Sequence, residues 1–197
     1  MKLGASQWVG LIASLWHDRG DDRASQVVEL ALSLPVLVLF VVGIFDFSGA
    51  LTLKQKLTNA AREGARVAAA DPASDMYASV PVAVSDAFQV VDNYLLSEKI
   101  NDCGLSGGGT PPTPTQSALT WTYTSTGSCP GSGITLTINR ACAPTATQSS
   151  NTVYLIATCV TINYAYKWRF NSVGGLVGGS VIGPSTITTA AQAFNQN

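Results

Sequence analysis

The 197-residue chain carries 12% charged residues against 46% hydrophobic ones, where soluble domains usually carry about a quarter charged. A formal net charge of −1 argues against a dedicated nucleic-acid binder, and the length allows one modest domain plus extensions. No Asp or Glu follows Asp102, so the polar surface of the second half must come mainly from Thr, Ser, Asn and Gln. That balance suits a secreted or cell-surface β domain better than a cytosolic enzyme.

Residues 1–24, "MKLGASQWVGLIASLWHDRGDDRA", form a leader of mixed character. Its apolar part, "WVGLIASLW", is too short to span a bilayer. It reads as an interfacial helix or a signal-peptide core, and the polar "HDRGDDR" stops it. An apolar run follows from Leu30 to Phe45, is interrupted by Asp46 and resumes through Leu53. A membrane span over about 30–53 matches a hydrocarbon core of about 30 Å. Pro35 lies in its first turns, where a membrane helix tolerates a kink. Two acids flank the run, Glu29 and Asp46, although a carboxylate at a membrane helix centre costs roughly 2.5–3.5 kcal/mol.

The helical pattern does not stop at the bilayer. "LKQKLTNAAREGARVAAA" continues without a breaker to Asp71–Pro72, predicting one helix over 25–70, about 69 Å long. Ala60, Gly64 and Ala68 share one stripe, and Ala61, Ala65 and Ala69 repeat it one residue on. This small-residue face suits close approach of another helix or of the domain behind it.

Residues 71–197 are expected to form an extracytoplasmic α+β domain. "SDAFQVVDNYLLSEKI" reads as a helix with Phe88, Val91, Leu95 and Ile100 near one face and Asp86 and Asp92 near the other. "CGLSGGGTPPTPTQS" is a loop. Period-two alternation then marks "LTWTYT", "ITLTIN" and the long "VTINYAYKWRF", which places Val160, Ile162, Tyr164, Tyr166, Trp168 and Phe170 on one face. Aromatics near Trp168 are assigned to the core in preference to a contact surface. Val153 and Leu155 have the opposite parity, which predicts a bulge near Cys159. After an apolar glycine-rich loop, "SVGGLVGGSVIG", the strand "STITTAAQAF" closes the domain. The expected fold is a long N-terminal transmembrane helix followed by an antiparallel sheet of about four strands with one or two packed helices.

Cys103, Cys129, Cys142 and Cys159 all follow the apolar segment, and none forms a CxxC pair. Zinc and thioredoxin-type readings are therefore weak, and disulfides in an oxidising compartment are expected. Of three connectivities, Cys103–Cys129 with Cys142–Cys159 is favoured because each closes a short loop. Four buried free thiols are the alternative.

Little in the chain points to catalysis. The only histidine, His17, lies in the leader, so no Ser-His-Asp or Cys-His arrangement forms in the domain. "GGLVGG" lacks the ending of a phosphate-binding loop. Asp86, Asp92 and Glu98 read as a solvated helix face. No enzyme activity, cofactor or metal is expected.

"SQVVELALSLPVLVLFVVGIFDFSGALTLKQKLTNAAREGARVAA" resembles the N-terminal region of the TadE-like family, pilin-like proteins of the tight-adherence pilus system. The resemblance covers about residues 23–70. It rests on the Glu opening an apolar helix, the "LP" that follows, the "GIFDF" near the far end and the "TNAAREGAR" helix. It implies a single-pass inner-membrane protein, N-terminus in the cytoplasm and domain outside. It further implies a minor pilin or pseudopilin that helps assemble or initiate the pilus with other pilin subunits and assembly proteins. A prepilin peptidase would then cut between Ala24 and Ser25, which makes Glu29 the fifth mature residue. The family's usual Gly is here Ala24; Gly20 is an alternative site that sets Glu29 too deep.

Basic residues flank the span on both sides, so charge does not settle orientation. The resemblance gives Glu29 a registry role, pairing with the free α-amine at Ser25 of a neighbouring subunit; the alternative is that it complements the helix N-terminus. Asp46 lies 17 residues later, roughly 25 Å along the axis. It is expected to meet a basic residue of a partner helix or interfacial water. The competing function is a membrane-anchored periplasmic binding or interaction domain unrelated to pili.

Overall fold

The computed structural model describes residues 22–196, apart from 73, 77, 107–111, 128, 143–144, 149–150, 155 and 169–184. The leader through residue 21, with His17 and Gly20, and the loop "SVGGLVGGSVIG" lie outside the described residues. Helix α1 runs from Asp22 to Ala70 and includes Pro35. The chain divides after Phe45 into two compact units.

In the first unit, the helix carries its large apolar side chains uncovered. Val27, Leu32, Phe40, Ile44 and Phe45 are all more than half exposed. Pro35 removes one backbone donor, and the nearby Ser33 hydroxyl donates to the Leu30 carbonyl at 3.2 Å.

The second unit begins at Asp46, so the packed domain includes the last half of α1 and does not start at residue 71. The cause is the small-residue face. Ala60, Ala61, Ala65 and Ala68 are fully buried, and a Cβ on Gly64 would meet Val91 Cγ2 at 2.7 Å and Val160 Cγ1 at 3.8 Å. Glycine here lets α1 lie against both the second helix and the sheet. That second helix, α2, spans Val82–Ser97. Its N-cap is Pro81, which offers no side-chain acceptor; the Asp75 carboxylate takes that role by accepting the Val82 amide at 2.6 Å.

Among the described residues seven strands follow: β1 (Thr115–Ser117), β2 (Thr120–Ser125), β3 (Ile134–Cys142), β4 (Thr145–Gln148), β5 (Asn151–Tyr154), β6 (Ala157–Ala165) and β7 (Thr186–Phe194). Five make one antiparallel sheet in the order β1-β2-β3-β6-β7, and β4-β5 form a separate hairpin. The architecture is α+β, with a short fifth strand beyond the four outlined by sequence. The predicted alternation holds: Trp121, Tyr123, Ile134, Leu136, Ile138, Val160 and Ile162 are buried with α1 and α2 in one core. Threonines and asparagines form the other face, where Thr122 pairs with Thr137 and Thr137 with Thr161. The strand predicted over 160–170 stops at Ala165. Tyr166 and Trp168 pack edge to face at 5.1 Å, partly buried against the core, and residues 169–170 lie outside the described residues.

Two sequence expectations are corrected. The parity break at Val153 is not a bulge in one long strand; Val153 belongs to the separate hairpin. A bulge does lie next to Cys159, as expected, but on the partner strand: it sits on β3 between Asn139 and Cys142, opposite Cys159 and Ala157. Asp92 is not on a solvated face but is 6% exposed. It follows Phe88 by four residues and precedes Leu95 by three, which puts it on the buried stripe.

Both disulfides join distant elements. Cys103–Cys129 ties the turn after α2 to the β2–β3 connection, and Cys142–Cys159 clamps β3 to β6 beside the bulge. A Cβ on Gly127 would collide with the Cys103 carbonyl, so glycine permits the first of these approaches. Arg140 continues the inward parity of Ile134, Leu136 and Ile138 and is 2% exposed. Its Nη2 donates to the Asp71 carbonyl at 3.1 Å and its Nη1 reaches Thr158 Oγ1 at 3.5 Å. The Thr158 hydroxyl donates to Asn195 Oδ1 at 2.7 Å, and the Gln196 amide donates to the Ala69 carbonyl at 3.0 Å. This polar plug fastens the end of α1 to the bulge and to the end of β7.

Candidate functional site

The stretch of α1 before Asp46 is the most distinctive feature of the chain. One helix of the described residues is long and apolar enough to cross a membrane, and its apolar window is wholly uncovered by protein. Exposed Leu, Val, Ile and Phe around a helix bury no surface in water; in hydrocarbon they are solvated. The helix is therefore a candidate membrane span, consistent with a single-pass membrane protein.

Ser25 and Glu29 lie one turn apart at its start, and both are exposed. Ala24 is within α1.

Asp46 is placed differently. It is 8% exposed, shares the inward stripe with Ala50 and Leu57, and is not without a partner. It faces into its own domain, whereas a partner helix or interfacial water would need it outward. Close by, a Cβ on Gly49 would meet the Tyr166 hydroxyl at 3.4 Å. Further along α1, Lys56 Nζ pairs with Glu98 Oε2 at 2.9 Å and reaches the Glu98 carbonyl at 3.4 Å. A groove of about 420 Å³ lies there, lined by Thr52, Lys56, Asn101, Tyr164 and Tyr166 among others. At its floor, the Tyr164 hydroxyl donates to the Asn101 carbonyl at 3.0 Å.

The carboxylates of the domain show opposite electrostatics. Burial, with the Asp102 charge added, raises the pKa of Asp92, whose Oδ1 has no hydrogen-bond partner. Asp102 is also pushed up by burial, yet its pKa is lowered on balance. It accepts from the Ser106 hydroxyl at 2.8 Å, the Gly104 amide at 3.1 Å and the Ser106 amide at 3.2 Å. Those donors satisfy Asp102 as a loop organiser and occupy the lone pairs a cation would need. Burial raises Tyr123 to about 12 and lowers Arg140. Among the described residues, no group of three or more His, Cys, Asp or Glu side chains is arranged to hold a metal ion.

Arg140 and the edge of the main sheet escaped the sequence reading. The parity of β3 was signal enough for the first. The second depends on which strands neighbour one another, which a one-dimensional pattern does not carry. Residues 24–66 match the family model described as TadE-like protein. No curated protein and no solved structure matches the chain.

Proposed function

Starting from a chain that is TadE-like over residues 24–66, we propose that it is a Tad pilus-associated protein. In this reading it is a membrane-anchored minor pilin or pseudopilin that acts in assembly or initiation of the filament. It works without catalysis, by packing its helix against those of other pilin subunits and assembly proteins in the inner membrane.

The observation that carries the reading is the uncovered apolar helix of the first unit, which lies inside the matched segment. An apolar surface of this extent marks a membrane or protein contact. The matched segment opens at residue 24, where the proposed leader ends. Cleavage by a prepilin peptidase between Ala24 and Ser25 creates an amine one turn from Glu29. In hydrocarbon, a carboxylate paired with that amine on a neighbouring subunit is favoured over an unpaired one. The disulfides support a domain outside the cytoplasm, with the N-terminus inside.

Mass spectrometry of the mature chain tests processing: a terminus at Ser25 is expected, and an intact Met1 throughout sinks it. Glu29→Ala is expected to leave the protein stable in the membrane but absent from pilus fractions. Normal incorporation of that variant overturns the pairing role.

A further inference from the structure

The uncovered large apolar side chains of α1 run from Val27 to Phe47, with Leu51 one turn further. From Val27 to Phe47 is about 30 Å of helix at about 1.5 Å per residue, the thickness of a hydrocarbon core. Ser48 and Thr52 follow Phe47 by one and five residues. Chain connectivity alone therefore holds them within about 7.5 Å of the end of that run, and a headgroup layer is about 5–7 Å thick on each side. Both residues line the groove of about 420 Å³, and Lys99, after α2, lines it with them. A volume of that size suits a small ligand.

The lysines of the described residues gather around this groove. Lys54 and Lys56 lie on α1, Lys99 follows the Glu98 that pairs with Lys56 at 2.9 Å, and Lys167 follows Tyr166, another lining residue. The carboxylates nearby are engaged. Glu98 is held by Lys56, Asp102 by its three donors, and Asp46 is buried and not without a partner. Lys54, Lys99 and Lys167 are exposed, so the accessible charge is basic. Lys99 also occupies a position that favours glycine. It follows Glu98, the C-cap of α2, with a φ of 56°. Its amide donates to the Leu96 carbonyl at 3.1 Å and the Ile100 amide to the Leu95 carbonyl at 2.9 Å, the bonds of a left-handed helix stop. A side chain there strains the backbone, and no ion pair among the described residues offsets it for Lys99. Strain of this kind gathers at ligand sites.

Resting on α1 as a membrane span, we propose that this groove binds the headgroup of an anionic phospholipid, with Lys99 as the cation for its phosphate. A lysine ammonium serves phosphate as a point charge, and its stem lets the charge reach headgroup depth. The Thr52 hydroxyl donates to the Ser48 carbonyl at 2.9 Å, which leaves its oxygen to accept from a hydroxyl of the headgroup. The Ser48 hydroxyl is a further donor to phosphate. Lys56 is already committed to Glu98 and adds to the field without being the ligand. Tyr166, half-buried in the groove wall, is of the residue type that settles at membrane interfaces. A dissolved phosphate offers the same charge, but the span tethers the groove beside a leaflet, where the effective concentration of headgroups is far higher. The inference needs the membrane span and does not depend on the pilus reading.

Hydrogen exchange of the full chain in lipid nanodiscs tests it. Discs of phosphatidylcholine alone are compared with discs of equal parts phosphatidylcholine and phosphatidylglycerol, each contrast taken within one variant so that intrinsic rates cancel. The amides of residues 99 and 100 are expected to exchange about fivefold more slowly in the mixed discs, the effect of one lysine at an anionic surface. Lys99→Gly is expected to erase that contrast while the domain melts no lower, since glycine suits the left-handed position. Lys99→Arg keeps the contrast, and so does Lys54→Gln, which lies outside the groove. Inorganic phosphate added to the phosphatidylcholine discs gives no such protection. Equal exchange in the two discs, or a contrast that survives Lys99→Gly, overturns the site. Loss of the contrast in Lys54→Gln reduces it to diffuse surface charge and overturns the groove; equal protection by inorganic phosphate overturns the lipid. A chain that co-elutes with neither disc overturns the span itself, which is read separately from exchange.

Discussion

Helix α1 is made twice over from one backbone. Before Asp46 its apolar side chains are mostly large and exposed; after it one stripe of mainly small residues, Ala50, Ala60, Ala61, Ala65, Ala68 and Ala69, is buried. Gly43 and Gly64 make the contrast concrete. A Cβ on Gly43 meets nothing within 4 Å, while one on Gly64 meets Val91 at 2.7 Å. The first half presents volume to whatever solvates it, and the second half removes volume so that its own domain can approach. Hydrophobicity alone does not distinguish these tasks; side-chain size does.

The largest effect expected on this contrast comes from the disulfides, which belong to the second unit only. Replacing all four cysteines by serine should cost about 3 kcal/mol per bridge and abolish the domain's thermal transition. Retention in membranes through an alkaline wash should be unchanged. Loss of membrane retention as well would mean that the two halves of α1 do not act separately.

Gly64→Val comes next. Overpacking typically costs 1–3 kcal/mol, and here the added methyls press on Val91 and the Ala87 carbonyl. About 3 kcal/mol of lost domain stability is expected in a denaturant titration, against no change for Gly43→Val. Equal effects would erase the distinction.

A smaller effect separates the two carboxylates. The pKa of Asp92 is raised in the folded state, so folding binds its proton more tightly. Its contribution is most favourable below the unfolded value of 3.8 and declines as pH rises through the folded pKa. Asp102 is lowered, so its stabilisation is present above 3.8 and is lost as pH falls through its folded pKa. Asp92→Asn should therefore stabilise the domain at neutral pH, with a gain that fades on acidification; Asp102→Asn should destabilise it at neutral pH. Melting curves across pH 3–7 read both signs.

The smallest effect is Lys56→Ala. Its pair with Glu98 is about one-third exposed on each side and is worth at most about 1 kcal/mol, less in high salt. A larger, salt-independent loss would show that the stem of Lys56 contributes mainly by packing.

Where physics acts locally, the sequence was readable. The apolar run, the small-residue stripe and the alternation of β2, β3 and β6 all report burial through side-chain periodicity. The short disulfide loops pointed to the observed pairing. Asp92 was legible but misplaced, since its spacing from Phe88 and Leu95 outweighed its charge. Asp46 looked like an outward acid because a hydropathy run cannot show where a domain folds back onto its own helix. The parity break at Val153 was ambiguous in kind, since a bulge and a new hairpin shift the pattern alike. The place of β7 at the end of the sheet, among the described residues, was invisible, because strand order is a long-range property.

The bond from the Gln196 amide to the Ala69 carbonyl has a consequence for biogenesis. The end of the first helix meets the second residue after β7, so the domain cannot close until nearly all of it has been synthesised. Domains fold as units while chains emerge at about 5–20 residues per second. For several seconds the alanine face of α1 therefore waits without the strands that cover it. Any factor that shields nascent chains has its longest opportunity there, and a chain cut before Thr186 keeps α2 and β6 for that face but lacks β7 and the bond that ties the chain's end to Ala69.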